Sequence, residues 1–227
     1  MAGTGPKLQF DLVIDAVVFD LDGVLLQSEE VWDAVRERYV RERGGRYDEE
    51  VQRAMIGMSA PEWSRFLHEE AGVPDDPEAI NRDVVARMLE SYRRKLPLLP
   101  GAAEAVRRTA AAFPLALASS SNRELFEAVL ELAGLADCFR ATVSSEEVER
   151  GKPAPDVYLE AARRLGVAPE LCTAVEDSQA GIRSAKSAGM RVVAIPNASY
   201  PPDDAALALA DTVVRSLDEL TVAALHG

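Results

Sequence analysis

Four short runs in this 227-residue chain set chemistry-bearing residues directly after apolar, β-branched stretches. The first is Asp20-Leu21-Asp22-Gly23, which follows the run from Ile14 to Phe19. Side chains alternate along an extended chain, so Asp20 and Asp22 leave the strand on one side, and Gly23 permits a tight turn behind them. Two carboxylates held this close repel each other unless a cation or a shared proton relieves them. The second run, Ser119-Ser120-Ser121-Asn122, puts hydroxyls and backbone N–H donors where a strand gives way to a helix, a place suited to an anion. A helix cap would need only Ser121 or Asn122, so the run has donors to spare. The third, Gly151-Lys152-Pro153-Ala154-Pro155-Asp156, holds a lysine between glycine and a restricting proline, with Pro155 fit for a first helical turn. The fourth, Val175-Glu176-Asp177-Ser178-Gln179-Ala180-Gly181, is again a strand ending in acids before a helix. Asp20, Asp22, Glu176 and Asp177 are hard oxygen ligands of the kind Mg²⁺ takes.

Each run alone is weak, since 38 acidic residues scatter Asp pairs by chance and a lone loop lysine is usually just exposed. Their value depends on the elements that carry them. Short apolar runs at Ile14–Phe19, Leu115–Ala118, Ala141–Val143, Cys172–Val175, Val192–Ile195 and Thr212–Val214 read as buried strands. Helical patterns at Gly101–Ala112, Asn122–Ala133, Pro155–Leu165 and Ser178–Ala188 lie between them. That alternation predicts an α/β, Rossmann-like, doubly wound parallel sheet joined by right-handed crossovers. All four runs then fall at C-terminal strand ends and meet on one rim. The assembly has carboxylates for a nucleophile and a metal, hydroxyl and N–H groups for an anion, and one lysine to neutralise charge. Those are the parts that phosphoryl transfer requires.

From Ser28 to Lys95 no strand-like run occurs, and apolar residues recur at helical spacing, as in Val31, Trp32, Val35 and Tyr39. The insert carries 16 acidic and 12 basic residues and ends in the proline-punctuated Leu96-Pro97-Leu98-Leu99-Pro100-Gly101. A helical excursion after the first strand sits over the C-terminal ends, where open α/β sheets bind ligands. The expected organisation is therefore a core of residues 1–27 and 96–227 with an α-helical cap of residues 28–95.

Composition narrows the remaining possibilities. With 48% apolar and 28% charged residues the chain is neither disordered nor fibrous. The longest nearly apolar stretch, Ala110 to Ala118, falls far short of the ~20 residues that cross a bilayer, and Pro114 interrupts it. Asp11, Asp15 and Asp20 break the only early apolar run, so no signal peptide is expected and the location is expected to be cytoplasmic. Two cysteines, Cys138 and Cys172, are too few for a disulfide framework or thiolate metal site. A net charge of −13 argues against nucleic acid or an anionic membrane as partner. Mg²⁺ and a lysine would supply the local attraction for an anionic substrate, and a monomer or weak homodimer is expected.

In their order, Asp-Leu-Asp-Gly, Ser-Ser-Ser-Asn, Gly-Lys-Pro-Ala-Pro-Asp and Glu-Asp-Ser-Gln-Ala-Gly resemble the haloacid dehalogenase-like superfamily. The branch most similar is that of phosphoglycolate phosphatase-like and β-phosphoglucomutase-like proteins with a helical cap. The similarity runs from about Ile14 to Val214. It implies a Mg²⁺-dependent phosphohydrolase or phosphomutase acting on a small phosphorylated metabolite through an aspartyl-phosphate. Asp20 matches the nucleophile, and Asp22 the general acid/base whose carbonyl binds Mg²⁺. Ser119 matches the hydroxyl holding the phosphoryl group, Lys152 the bridging lysine, and Glu176 and Asp177 the acidic pair at the metal, with Asp177 the direct ligand. Gly23, Ser120, Ser121 and Asn122 belong to the expected phosphate cradle. A dehalogenase would need neither the second aspartate nor the acidic pair.

The cap departs from the β-phosphoglucomutase-like pattern. Its histidine, lysine and arginine positions correspond here to Trp32, Ile56 and Ala60, around Gly57-Met58-Ser59. Gly57 and Ser59 are still expected at the substrate, whereas a mutase's second phosphate would find only Arg53 and Arg65, outside the loop. Trp32, Met55, Ile56, Met58 and Trp63 offer an apolar substrate wall, although the cap's own core is the simpler home for them. The expectation is thus a phosphatase; the alternatives are a phosphomutase and a non-catalytic protein that binds a phosphorylated ligand for regulation.

Overall fold

The structure is a computed structural model describing residues 14–55, 58–197 and 201–226. Six strands form one parallel sheet: β1 (Ala16–Phe19), β2 (Leu115–Ser119), β3 (Phe139–Ser144), β4 (Cys172–Glu176), β5 (Arg191–Ala194) and β6 (Thr212–Val213). Their order is β3-β2-β1-β4-β5-β6. The chain thus builds outward from β1 to β3, then crosses back to start β4 on the other side of β1. That reversal makes β1 the switch point, beside which ligands of such sheets bind. The expected doubly wound α/β sheet is present, strand for strand.

Alternation along the strands explains the two-sided covering. Val17 and Phe19 of β1 face one apolar cluster, with Leu115, Leu117 and Val175 beside them. Ala16 and Val18 face the other, with Ala116, Ala118 and Ala174. Helices α5 (Ala102–Ala110) and α6 (Arg123–Ala133) cover the first face, and α7 (Asp156–Leu165) and α8 (Gln179–Ser187) the second. Small residues on the second face let α7 approach β2 and β3 closely. β3 begins at Phe139, two residues before the apolar run, because Phe139 and Arg140 lie at the sheet's edge, half-buried and exposed.

Between β1 and α5 stand four helices and, among the described residues, no strand: α1 (Glu29–Glu42), α2 (Glu49–Ala54), α3 (Ala60–Glu69) and α4 (Pro77–Arg94). Local chemistry fixes their starts. The Asp48 carboxylate accepts from the Glu50 and Val51 amides at 3.1 Å each, and Asp76 accepts from Ala79 at 2.9 Å. The insert leaves and rejoins the sheet through two segments paired with each other, Gln27 N donating to Pro97 O at 2.8 Å and Leu99 N to Leu25 O at 2.9 Å. Helix α4 packs against α6, where Asn122 Nδ2 of the core donates to Asn81 Oδ1 at 3.2 Å. No helix among the described residues is long and apolar enough to cross a membrane.

Candidate active site

At the C-terminal ends of β1 and β4 the buried Lys152 ammonium joins three acceptors. Its Nζ donates to Asp20 Oδ1 at 2.6 Å, Glu176 Oε1 at 2.7 Å and the Ala118 carbonyl of β2 at 3.0 Å. Three strands are thereby tied at their ends by one cation. Pairing places these residues side by side, since Phe19 is in register with Val175 and the Asp20 amide donates to Val175 O at 3.0 Å. The ammonium has three N–H bonds and uses all three.

Glu176 is saturated from both sides. Oε1 also accepts from the Tyr158 hydroxyl at 2.6 Å, while Oε2 accepts from the Asp177 and Ser178 amides and the Ser178 hydroxyl at 3.1, 3.2 and 3.1 Å. Two glycines make room for this crowding. A Cβ at Gly181, in the first turn of α8, would lie 1.8 Å from Glu176 Oε1, and one at Gly23 would lie 1.9 Å from Asp177 Oδ2. Gly23 also has φ +83°, a conformation that L side chains rarely adopt. Helix propensity alone makes Gly181→Ala stabilising by about 1 kcal/mol. The five donors that hold Glu176 prevent it from yielding, so we expect destabilisation of about 1–3 kcal/mol instead. A melting temperature equal to or above the parent's would show that Glu176 is not held in this way.

Burial and crowding shift the titrations upward. Burial, reinforced by Glu176 and Asp22 against the pull of Lys152, pushes Asp20 up to about 8. Burial, with Glu176 and Asp20 nearby, raises Asp177 well above the carboxylate range. Burial by itself would lower Lys152, but Asp20 and Glu176 outweigh it and keep the ammonium charged. One cation therefore faces several carboxylates, a balance that a divalent ion would correct. Ligand atoms of Asp20, Glu176 and Asp177 lie within 4.8 Å of one another. Asp177 Oδ1 and Asp22 Oδ1 are buried without a hydrogen-bond partner among the described residues. With Glu176 saturated by protein donors, the open lone pairs of the cluster belong to Asp20 and Asp177. The donor set fits a hard cation.

A cavity of ≈ 440 Å³ opens over these residues, lined by Asp20, Asp22, Glu29, Ser120, Lys152 and Asp177 among others. The serine run divides its tasks. Ser119 is fully buried and its Oγ accepts from the Ser121 amide at 3.0 Å, and of the three serines in the run it is Ser120 that lines the cavity, together with Ser178 from the start of α8. Ser121 Oγ donates to Asp22 Oδ2 at 2.7 Å and so orients that carboxylate. Asn122, expected in the phosphate cradle, is instead engaged by its Nδ2 with Glu146 Oε1 at 2.6 Å and with Asn81. Through Asn81 it links the core to the insert, and it lines a smaller cavity with its Oδ1 buried and unpartnered among the described residues.

In the insert, Ser59 is a helix cap: its N and Oγ both donate to Glu62 Oε2, at 2.7 and 2.6 Å. The Ser-x-x-Glu spacing encodes that engagement, which holds the Ser59 hydroxyl within the insert. Gly57 and Ile56 lie outside the described residues. Trp32, Met55 and Trp63 are buried in the insert's core, and with Met58 they also line a second cavity of ≈ 70 Å³. Asp22, Glu29 and Ser120 border both cavities. Arg53 pairs with Glu49, and the exposed Arg65 borders a different hollow beside Pro61 and Asp76. The cation at the second cavity is Arg36, which the motif runs did not mark; its signal is an arginine within the apolar stripe Trp32–Val35–Tyr39 of α1. Tyr158 was missed similarly, since it occupies the apolar face of α7.

Residues 14–189 match the haloacid dehalogenase-like hydrolase family. The chain is 35% identical over 218 residues to hexitol phosphatase B of Escherichia coli, covering 93% of this chain and 96% of that protein. It is 32% identical over 203 residues to the bifunctional riboflavin kinase/FMN phosphatase of Arabidopsis thaliana, of which it spans only 53%. Among solved structures, CbbY from Rhodobacter sphaeroides in complex with phosphate superposes with a TM-score of 0.84 at 28% identity, covering 94% of this chain and 99% of that one. A match over most of the chain, a full-length relative and a shared fold agree with the motif order on the sheet's rim: this chain belongs to the haloacid dehalogenase-like hydrolases.

Proposed function

We propose that this chain is a Mg²⁺-dependent phosphatase that hydrolyses a small phosphorylated metabolite through a phosphoaspartate on Asp20. The observation that carries the reading is the buried Lys152–Asp20–Glu176 network at the mouth of the ≈ 440 Å³ cavity. Lys152 holds Asp20 Oδ1, leaving Oδ2, which takes no hydrogen bond among the described residues, to attack phosphorus. The same ammonium neutralises charge that gathers on the phosphoryl group. Asp22, oriented by Ser121 with Oδ1 open, protonates the leaving oxygen and then takes a proton from the attacking water. Asp20 and Asp177 would hold Mg²⁺, with Glu176 fixing Lys152 and the start of α8 around them. The ion, when bound, supplies positive charge that offsets the carboxylates and polarises the phosphoryl oxygens. A purely phosphate-binding protein has no use for both Asp20 and Asp22. Relatives of the chain are named as phosphatases, hexitol phosphatase B among them.

Residues 28–95 act in this reading as a cap over the core of residues 1–27 and 96–227. The paired segments at Leu25–Gln27 and Pro97–Leu99 are the hinge, and closure excludes bulk water from the phosphoaspartate. The test is release of inorganic phosphate from an aryl phosphate with Mg²⁺. Excess chelator should abolish it, and Asp177→Asn should raise the half-saturating Mg²⁺ concentration roughly tenfold or more. Turnover unchanged in chelator would overturn the proposed mechanism.

A further inference from the structure

The ≈ 70 Å³ cavity between insert and core holds a cation that the mechanism does not use. Arg36 is half-buried, with its Nε buried and without a hydrogen-bond partner. Its guanidinium carbon lies 4.5 Å from the Trp32 ring centre and 4.9 Å from that of Trp63. Those contacts hold the guanidinium against the packed Trp32–Trp63 pair, but an aromatic ring accepts no conventional hydrogen bond from its N–H donors. No hydrogen bond or ion pair is formed by Arg36 among the described residues. The nearby Asp33 is already engaged, its Oδ1 accepting from the Tyr47 hydroxyl at 2.6 Å.

The contrast with other sheltered cations is sharp. Lys152 faces Asp20 and Glu176, and Arg43 faces Asp75 and Asp83. A desolvated cation without a hydrogen-bonded acceptor is costly, and burial draws the Arg36 pKa down against the opposing pull of Tyr47, Glu29, Asp22 and Asp33. If Arg36 only glued the insert together, a methionine would pack against the two indoles without that cost. Arg36 instead lines a cavity that shares Asp22, Glu29 and Ser120 with the larger one over Asp20.

We propose that Arg36 is a specificity-determining residue, and that the substrate is a phosphomonoester carrying a second anionic oxygen group, carboxylate or phosphate, at its far end. This rests on the phosphatase reading of the same site. A planar guanidinium offers only donors and matches the paired oxygens of a carboxylate or phosphate. Glu29 stands between the two cavities, so the connecting carbons should be neutral or carry hydroxyls that donate to it.

The experiment compares ω-carboxyalkyl phosphates with ω-hydroxyalkyl phosphates of two to four carbons, alongside the corresponding alkanediol bisphosphates. The ratio of kcat/KM between acid and alcohol of one length is read within each variant, so the folded fraction cancels. A charged hydrogen-bonded contact should give the unmodified protein a preference of about tenfold to a hundredfold for one anionic series. Arg36→Gln should reduce that ratio to within about threefold of unity, and Arg36→Lys should restore part of it. The acid and bisphosphate arms identify which anion is read. Equal turnover of acids and alcohols, or a preference that survives in Arg36→Gln, overturns the inference while leaving the phosphatase reading intact. Should no compound release phosphate, the phosphatase reading fails. The affinity ratio of the same compounds for Asp20→Asn, with and without Arg36→Gln, then decides the role of Arg36.

Discussion

Asp20→Asn is expected to lower kcat on an aryl phosphate by about 10⁴-fold or more while the melting temperature stays within a few degrees of the parent's. The two readouts separate a nucleophile from a structural aspartate. A covalent nucleophile cannot be replaced by an amide of the same shape, and its loss commonly costs many orders of magnitude. The fold loses little, because Asp20 is one of several buried carboxylates around a single ammonium. Removing its charge leaves the Lys152–Glu176 pair in place and relieves repulsion from Asp177 and Asp22. Melting by circular dichroism and phosphate release on the same samples check both halves. A variant that kept a tenth of the parent's turnover would place the nucleophile elsewhere.

What could be read in advance follows the physics of each element. The central strands were legible because a strand buried on both faces must be nearly all apolar, as Ala16–Phe19 and Cys172–Val175 are, whereas Thr212–Val213, expected to be buried, is a half-exposed edge strand. The rim residues were legible because a carboxylate, lysine or serine at the end of such a strand contrasts with what precedes it. The roles within a run were less so. Ser119, Ser120 and Ser121 are one residue type in three consecutive places, and only the fold distributes them between a turn, a cavity wall and the Asp22 carboxylate. Asn122 and Ser59 each satisfy a ligand pattern and a structural one at once, and their hydrogen bonds to Glu146 and Glu62 could not be told from the run alone. Arg36 and Tyr158 went unmarked for the opposite reason. A polar residue on an apolar helix face is invisible to a motif search, and its meaning depends on what faces it across the molecule.

Lys152→Met provides the second large effect and tests whether that rim is also a stability element. The ammonium is buried and neutralises two carboxylates at once, 2.6 Å from Asp20 and 2.7 Å from Glu176. Removing one member of a buried charge network strands the others, a cost of about 3–5 kcal/mol, or roughly 6–20 °C of melting temperature in a chain of this size. Turnover should fall about 10²- to 10³-fold in whatever fraction remains folded, the usual consequence of losing a charge-stabilising donor. The two losses have different remedies. Adding Glu176→Gln removes the stranded charge, and its amide oxygen can still accept from the Asp177 and Ser178 amides, while its NH₂ group turns toward Tyr158 and Asp20. The double variant should therefore recover about half of the lost melting temperature and none of the lost turnover, because no cation returns to face the phosphoryl group. If Lys152→Met melted with the parent, the three strand ends would not depend on the ion network. If the double variant regained activity, Lys152 would matter only for holding Glu176 in place.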